Sequence, residues 1–301
     1  MILVTGGTGL VGNRVVQLLI SNQQSVRVMA RGLADWKESF LPQFRRIGVD
    51  VVTGDIRDPD RVAAAVAGCQ AIVNCAGVMR STPDYPCDEI NIQGTANLAA
   101  AAESQGIQRF IQISCLSVTQ HSECQQLSSK WQAEQIIKSS KFHWTIMRPS
   151  FVFGDHCHLM ELLNFWTAHG PIIPVVGSGL NEIRPISADD VAACIVQSIY
   201  NRKTASQTYE LVGPQSYTLT QLLEMSVNNQ GKSKPLFKLP TKLGLRLAGL
   251  IARFIPKGPV DEDVIKFITT DSTGDPAIMQ STFQVKGLPF ESSLKQLSIK
   301  G

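Results

Sequence analysis

Gly6, Gly9 and Gly12 are spaced three apart in Thr5-Gly6-Gly7-Thr8-Gly9-Leu10-Val11-Gly12, directly after the apolar run Ile2–Thr5. Each glycine has a separate use. Gly6 permits a tight turn out of an extended segment. Gly9 removes a side chain, so that the backbone can approach a pyrophosphate. Gly12 lets a following helix pack closely on a sheet. A helix starting near Leu10 adds unsatisfied N–H groups and a positive dipole end, which favour an anion. Thr8, Leu10 and Val11 lie in the same turn and belong to this binding loop. The plain alternative is three structural turn glycines, but their place at a strand–helix junction argues for a dinucleotide.

The residue that reads the adenosine ribose should end the second strand, where a carboxylate would select NAD. That strand reads Arg27-Val28-Met29-Ala30-Arg31 and offers no carboxylate. Arg31 can instead meet a 2′-phosphate by a charge-assisted pair, which favours NADP(H) over NAD(H). The competing reading is a solvated loop cation. Asp55 and Ile56, after the third strand, stand where a carboxylate could accept from an adenine amino group. Cys75, Ala76 and Gly77 end the fourth strand, small enough for a cofactor to lie close.

These residues need a scaffold that brings several strand ends to one edge. Apolar runs at Ile2–Thr5, Val26–Ala30, 51–53, 71–75, 110–114 and 144–147 alternate with helical patterns. Runs apolar on both faces belong to strands covered on both sides. Asp58 caps a helix that has Pro59 in its first turn and ends at Gly68. The expected fold is α/β, a doubly wound parallel sheet. Past residue 150 prolines multiply, and short helices at Ala188–Tyr200, Leu219–Asn229 and 243–254 alternate with extended pieces such as 207–212. A smaller, mostly helical C-terminal lobe is expected there. Residues 1–154 are read as the dinucleotide-binding part. Residues 155–301 are read as a mixed segment that forms a substrate or partner lobe and completes the sheet.

Composition narrows the class. The chain has 301 residues, 44% of them hydrophobic, enough for a full core without staples. A net charge of +3 is too weak to argue for nucleic acid, so no nucleic-acid partner is expected. Seven cysteines, an odd number, suit free thiols in a reducing compartment. No leader pattern or membrane-spanning run is visible, and a soluble cytoplasmic protein is expected.

With these pieces in place, the chain resembles the extended and atypical short-chain dehydrogenase/reductases, NmrA-like and epimerase-like proteins built on a Rossmann sheet. Within them it is most similar to the group of the 39-kDa accessory subunit of respiratory complex I. The glycine loop, Gly54-Asp55-Ile56-Arg57-Asp58, Asn91-Ile92-Gln93-Gly94-Thr95, Ser129-Lys130-Trp131-Gln132-Ala133-Glu134, Arg148-Pro149-Ser150-Phe151-Val152-Phe153-Gly154 and Arg184-Pro185-Ile186-Ser187-Ala188-Asp189-Asp190-Val191 carry the likeness. So does Tyr209-Glu210-Leu211-Val212-Gly213-Pro214, and the likeness covers the chain to about residue 215. The resemblance implies that Asn91, Ser114, Lys130, Pro149, Phe151 and Val152 face the cofactor, with Phe153 and Pro149 shaping the nicotinamide pocket.

It also implies a Tyr four residues before a Lys, with an upstream Ser or Thr. Here Lys130 is kept, but the residue four before it is Gln126, a carboxamide with no proton to give near neutral pH. Cys115 falls near the Ser position, with Ser114 and Ser117 beside it. Losing a positioned acid costs about 10²–10⁴ in rate. Two readings stay open. One is a cofactor-holding accessory or regulatory protein of a redox or quinone-related system, with Lys130 on the ribose. The other is an NADP-dependent oxidoreductase, or a sugar-nucleotide epimerase or dehydratase, with a replacement proton donor. Tyr85, His121 and, less favourably, Tyr217 are the candidates for that donor.

Other residues have plain explanations. His156-Cys157-His158 offers two possible ligands without an evident third, so no metal is expected. Asp189 and Asp190 suit the start of a helix. By resemblance Arg184 lines a substrate cleft, or it serves a surface ion pair. The cationic, apolar stretch 242–255 reads as a lobe helix that buries its leucines, with a peripheral membrane contact or a protein partner as alternatives.

Overall fold

The computed structural model describes residues 1–31, 40–78, 80–154, 157, 170–231, 234–254 and 260–297. The apolar runs form the strands β1 (Ile2–Thr5), β2 (Val26–Ala30), β3 (Asp50–Thr53), β4 (Ala71–Asn74), β5 (Arg109–Ile113) and β6 (His143–Pro149). A seventh strand, Gln207–Leu211, pairs in parallel with β6. All seven are parallel, and the order across the sheet is β3, β2, β1, β4, β5, β6 and then Gln207–Leu211. The order reverses between β1 and β4, so the carboxyl ends of these two strands open a crevice, the usual ligand position in such sheets.

Alternate residues of each strand serve opposite faces. Ile2 and Val4 of β1 join one core with Val28, Val73 and Met147, covered by Val15, Val16 and Leu19 of helix α1 (Leu10–Ser21). Val191 and Ile195 of the helix Ala188–Tyr200 complete that layer. Leu3, Ile72 and Phe110 face the other way, against α3 (Pro59–Val66), α4 (Gly94–Ser104) and α5 (Gln125–Ser139). The short helix α2 (Phe40–Arg46) adds Phe44 to the first core. Asp58 caps α3 by accepting from Asp60 N and Arg61 N, and Gly68 follows its end at φ +74°. A π-helical turn, Asp88–Gln93, leads into α4.

The extended piece after residue 206 is a full member of the central sheet, buried at Leu211, in line with the expectation that the later segment completes the sheet. The lobe also holds three small two-stranded pairings alongside its helices. Its core joins Phe151, Phe153, Tyr217, Leu222 and Phe290. Among the described residues, no helix is long and apolar enough to cross a membrane, and the seven cysteines are free.

Candidate dinucleotide site

The loop from β1 to α1 turns at Gly6, where φ is +66° and an added Cβ would stand 2.6 Å from the Cys75 backbone. Only glycine fits both demands. Gly9 N donates to Gly6 O at 2.9 Å, closing the turn. A Cβ on Gly12 would stand 2.2 Å from Gly6 O. Its bareness therefore serves the loop's own closure more than packing of the helix on the sheet. At Gly9 an added Cβ would crowd Gly6 O at 3.3 Å, with no other atom within 4 Å. Gly9 is also the N-cap of α1 and makes no side-chain cap bond. The first N–H groups of the helix, at Leu10, Val11 and Gly12, have no partner within the helix, and the positive end of its dipole lies there beside Thr8.

Under this loop lies a buried polar network. Thr5 Oγ1 donates to Asn74 Oδ1 at 2.6 Å, and Ala76 N donates to the same oxygen at 3.2 Å. Asn74 Nδ2 donates to Gln112 Oε1 at 2.9 Å and to Thr95 Oγ1 at 3.2 Å. The network ties the carboxyl ends of β1, β4 and β5 into one floor, and Cys75, Ala76 and Gly77 continue from it.

Arg31, at the end of β2, is exposed and places its guanidinium 3.9 Å from the centre of the Tyr85 ring. Arg57 approaches the same ring at 6.0 Å. Arg57 also grips Asp55, with Nε on Oδ1 at 3.0 Å and Nη2 on Oδ2 at 2.9 Å, and reaches Glu89 at 2.9 Å. Burial alone would raise the Asp55 carboxyl. The hydrogen bonds and charge of Arg57, with help from Arg31, outweigh it and hold the group below the ordinary carboxylate range. Ile56 is buried against Gly94. Tyr85 is therefore part of a cation–aromatic stack with Arg31 and Arg57. Neither Tyr85 nor Arg57 was singled out for this role from sequence, because the stack joins segments far apart in the chain.

At the β4–β5 side, Lys130 and Asn91 converge. A Cβ on Gly77 would stand 3.0 Å from Lys130 Nζ and 3.2 Å from Asn91 Oδ1. Asn91, in the π-helical turn, accepts from Val78 N at 3.1 Å and donates to Ser129 Oγ at 2.9 Å. Ser129 in turn donates to Gln126 O at 3.1 Å. Gln126 lies one turn before Lys130 on α5 and is 1% exposed. Ser114 and Cys115 are buried at the end of β5. Burial pushes both the Cys115 and Cys75 thiols up to about 12 against the opposing pull of Lys130, so both stay neutral.

Below Lys130, Glu134 is fully buried and takes a bidentate pair from Arg148, at 2.8 and 2.6 Å. Lys138 joins at 3.2 Å. This pairing docks α5 against β6 and so sets the position of Lys130.

The segment after β6 closes the site. Pro149 O accepts from Leu116 N, and Phe151 O accepts from Ile186 N, each at 2.9 Å. Val152 pairs in register with Ile186, and Phe153 is buried in the lobe core. A Cβ on Gly154 would meet Leu10 Cδ1 at 2.8 Å, so this loop returns to the start of α1. From the lobe, the stretch around residues 261–272 is pinned on the mouth. Arg80 pairs with Asp261 at 3.3 Å, Ser117 Oγ donates to Asp271 O at 2.9 Å, and Ser150 Oγ donates to Ser272 O at 3.0 Å.

The remaining candidates separate. Tyr217 is buried in the lobe core against Phe290, with its hydroxyl bonded to Gln215, and is no donor at Lys130. His121 is exposed on the turn before α5. Cys157 is buried in the lobe, while His156 and His158 lie outside the described residues. No cluster that could hold a metal occurs among the described residues. Ser187 caps the helix Ala188–Tyr200, Asp189 pairs with Arg14 at 3.1 Å, and Asp190 accepts from Leu288 N at 2.8 Å, so both aspartates are structural. Arg184 donates to Pro214 O at 3.1 Å. The expectation for the helix Thr241–Phe254 holds only in part. It buries Gly244 and Ala248 and packs Leu245 and Ile251 against the lobe core, while Leu243, Leu247, Leu250 and Phe254 are exposed.

The residues present suit a dinucleotide. The glycine loop would cradle the pyrophosphate, Arg31 and Asp55 would flank the adenosine end, and Lys130 and Asn91 would flank the nicotinamide end. Bound there, the nicotinamide would supply a hydride donor or acceptor. Comparison with known proteins agrees. The chain is 28% identical over 280 residues to "NADH dehydrogenase [ubiquinone] 1 alpha subcomplex subunit 9, mitochondrial" of Arabidopsis thaliana, covering 89% of this chain and 69% of the relative. It is 26% identical to a ceramide reductase of Caulobacter vibrioides, over 83% of this chain and 77% of the relative. It is 23% identical to the photosystem II assembly factor Ycf39 of Guillardia theta, over 80% of this chain and 74% of the relative. The fold matches a dTDP-glucose 4,6-dehydratase from Streptomyces venezuelae solved with NAD, at a TM-score of 0.77 and 19% identity, over 99% of this chain and 96% of that one. The NAD(P)H-binding family model matches residues 6–202, and the chain belongs to that family.

Proposed function

We propose that this protein binds NADP(H) in preference to NAD(H) and holds it without rapid hydride transfer. Its role is then that of a cofactor-carrying accessory or regulatory component of a redox or quinone-related assembly. The observation that carries the reading is Gln126, buried one turn before Lys130 where carbonyl reduction would need a phenol. Lys130 and Asn91 remain beside Gly77, able to hold a ribose without moving a proton to a substrate. The cofactor preference rests on Arg31, a cation at the end of β2 with no carboxylate beside it in sequence. Two relatives named as respiratory-complex subunits and one as an assembly factor support an accessory role. In this reading the chain works in a reducing compartment, as its free thiols suggest.

The test is a nicotinamide-fluorescence titration with NADPH and NADH. NADPH should bind more tightly, and Arg31→Ala should weaken it by about 10- to 100-fold, the worth of a charged hydrogen-bonded contact, while NADH changes little. Equal binding of both nucleotides, untouched by Arg31→Ala, would remove the preference. Steady NADPH oxidation at tens of turnovers per second, with any of a panel of quinones, ketones or sugar nucleotides, would replace the holding role with an enzyme.

A further inference from the structure

The lobe contains a second concavity, away from the glycine loop. A cavity of about 340 Å³ lies under the helix Thr241–Phe254, between that helix and the strand Ile173–Val176. Its wall includes Val176, Leu219, Leu223, Ala248, Ile251 and Ile265, and no lining side chain carries a polar atom. Its volume falls within the ligand-pocket range of roughly 300–1,000 Å³. A cavity lined this way stays dry and rewards an apolar occupant.

Ile172, Phe237 and Leu247 line the cavity and are also exposed, so it opens to the surface there. Next to the opening, Leu243, Leu247, Leu250 and Phe254 form one exposed apolar stripe, at steps of four, three and four along the helix. Lys242, Arg246 and Arg253 follow at steps of four and seven, and all three are exposed along its flank. Glu262, on the neighbouring helix Glu262–Ile268, stands against Gly249. An apolar stripe edged by cations is the pattern of a helix lying in the plane of an anionic bilayer.

We propose that this cavity binds the apolar chain of an anionic lipid, taken from an anionic bilayer on which the helix Thr241–Phe254 rests. The stripe enters the acyl boundary, the cations meet the headgroups, and one chain passes between Phe237 and Leu247 into the cavity. This is independent of the dinucleotide reading, since the two sites share no residue.

The experiment titrates the full chain with cis-parinaric acid, a fluorescent anionic fatty acid, and with vesicles of phosphatidylcholine alone or mixed with phosphatidylglycerol. Saturable parinaric acid binding is expected, together with co-sedimentation on the mixed vesicles only. Leu223→Phe with Ile251→Phe fills the cavity and should weaken parinaric acid by more than about tenfold, as expected when an apolar chain loses its dry site. Because filling can strain a core, Arg246→Glu with Arg253→Glu gives a second arm. That pair leaves the cavity alone and should abolish vesicle binding and weaken parinaric acid more than its methyl ester. Far-ultraviolet circular dichroism and thermal melting report that each variant is folded. Absent or non-saturable fatty acid binding, or binding untouched by filling, overturns the cavity. Equal sedimentation with both vesicles, or with neither, overturns the bilayer as its source.

Discussion

Glu134 shows how far the site depends on groups that never touch a ligand. Its side chain is fully buried, yet Arg148 bonds both oxygens and Lys138 adds a third contact. Burial pushes the carboxyl upward, but the Arg148 pairing outweighs it and holds the group below its ordinary value of 4.5. A depressed carboxyl stabilises the fold above its unfolded value, and the contribution is lost as pH falls through the folded one. Glu134→Gln should therefore cost about 3–5 kcal/mol at neutral pH, because it leaves the Arg148 cation short of its partner. Urea unfolding of both proteins checks this, and the gap should close as the pH falls below about 4.5, where the unfolded-chain carboxyl begins to protonate. A gap that stays constant into acid would mean the carboxylate charge is not what docks α5.

Among the elements, the β1–α1 loop is where sequence and structure agree most closely. Gly12→Ala would press a Cβ to 2.2 Å from Gly6 O, and backbone on both sides leaves nothing flexible to yield. NADPH binding should fall sharply in that variant while far-ultraviolet circular dichroism stays near that of the parent; unchanged affinity would show that the loop is not the phosphate seat. This loop was legible because every part of it is local: a strand, a turn and a helix start within a dozen residues. The same holds for Asp58 and Pro59 and for the helices Ala188–Tyr200 and Leu219–Asn229. What was not legible is non-local. Tyr85 meets Arg31 across a long stretch of chain, and no spacing encodes that contact. The helix Thr241–Phe254 misled for a different reason. Its leucine pattern announces an apolar face, but it packs through Gly244, whose missing side chain lets Val176 come within 2.5 Å of where a Cβ would be. Close approach by small residues leaves Leu243, Leu247 and Leu250 exposed while Leu245 packs inward. Periodicity identifies an apolar face but not what covers it.

For the whole molecule, the order of the chain and the order of the core do not coincide. Residues 1–154 contain the glycine loop, Arg31 and Lys130, and six of the seven sheet strands. The layer over β1 and α1, however, comes from Val191 and Ile195 of a later helix, with Met279 and Phe283 from near the far end. The open side of β6 is paired by Gln207–Leu211, and Tyr209 on that strand stacks edge-on against Phe283 at 5.0 Å. A fragment ending at residue 154 keeps α1 over β1 and β2, but it loses the layer that the helix Ala188–Tyr200 lays over β5 and β6 and leaves β6 as an unpaired edge, two features that favour association over folding. The fragment 1–154 is therefore expected to lack a cooperative thermal transition and to bind NADPH weakly or not at all, although it holds most of the binding residues. Calorimetry and the fluorescence titration on the fragment and the full chain decide this. Cooperative melting with full-strength NADPH binding would show that the first six strands fold alone and that the later segments only decorate them. Its absence would mean that the cofactor seat exists only once the last third of the chain has closed over the first.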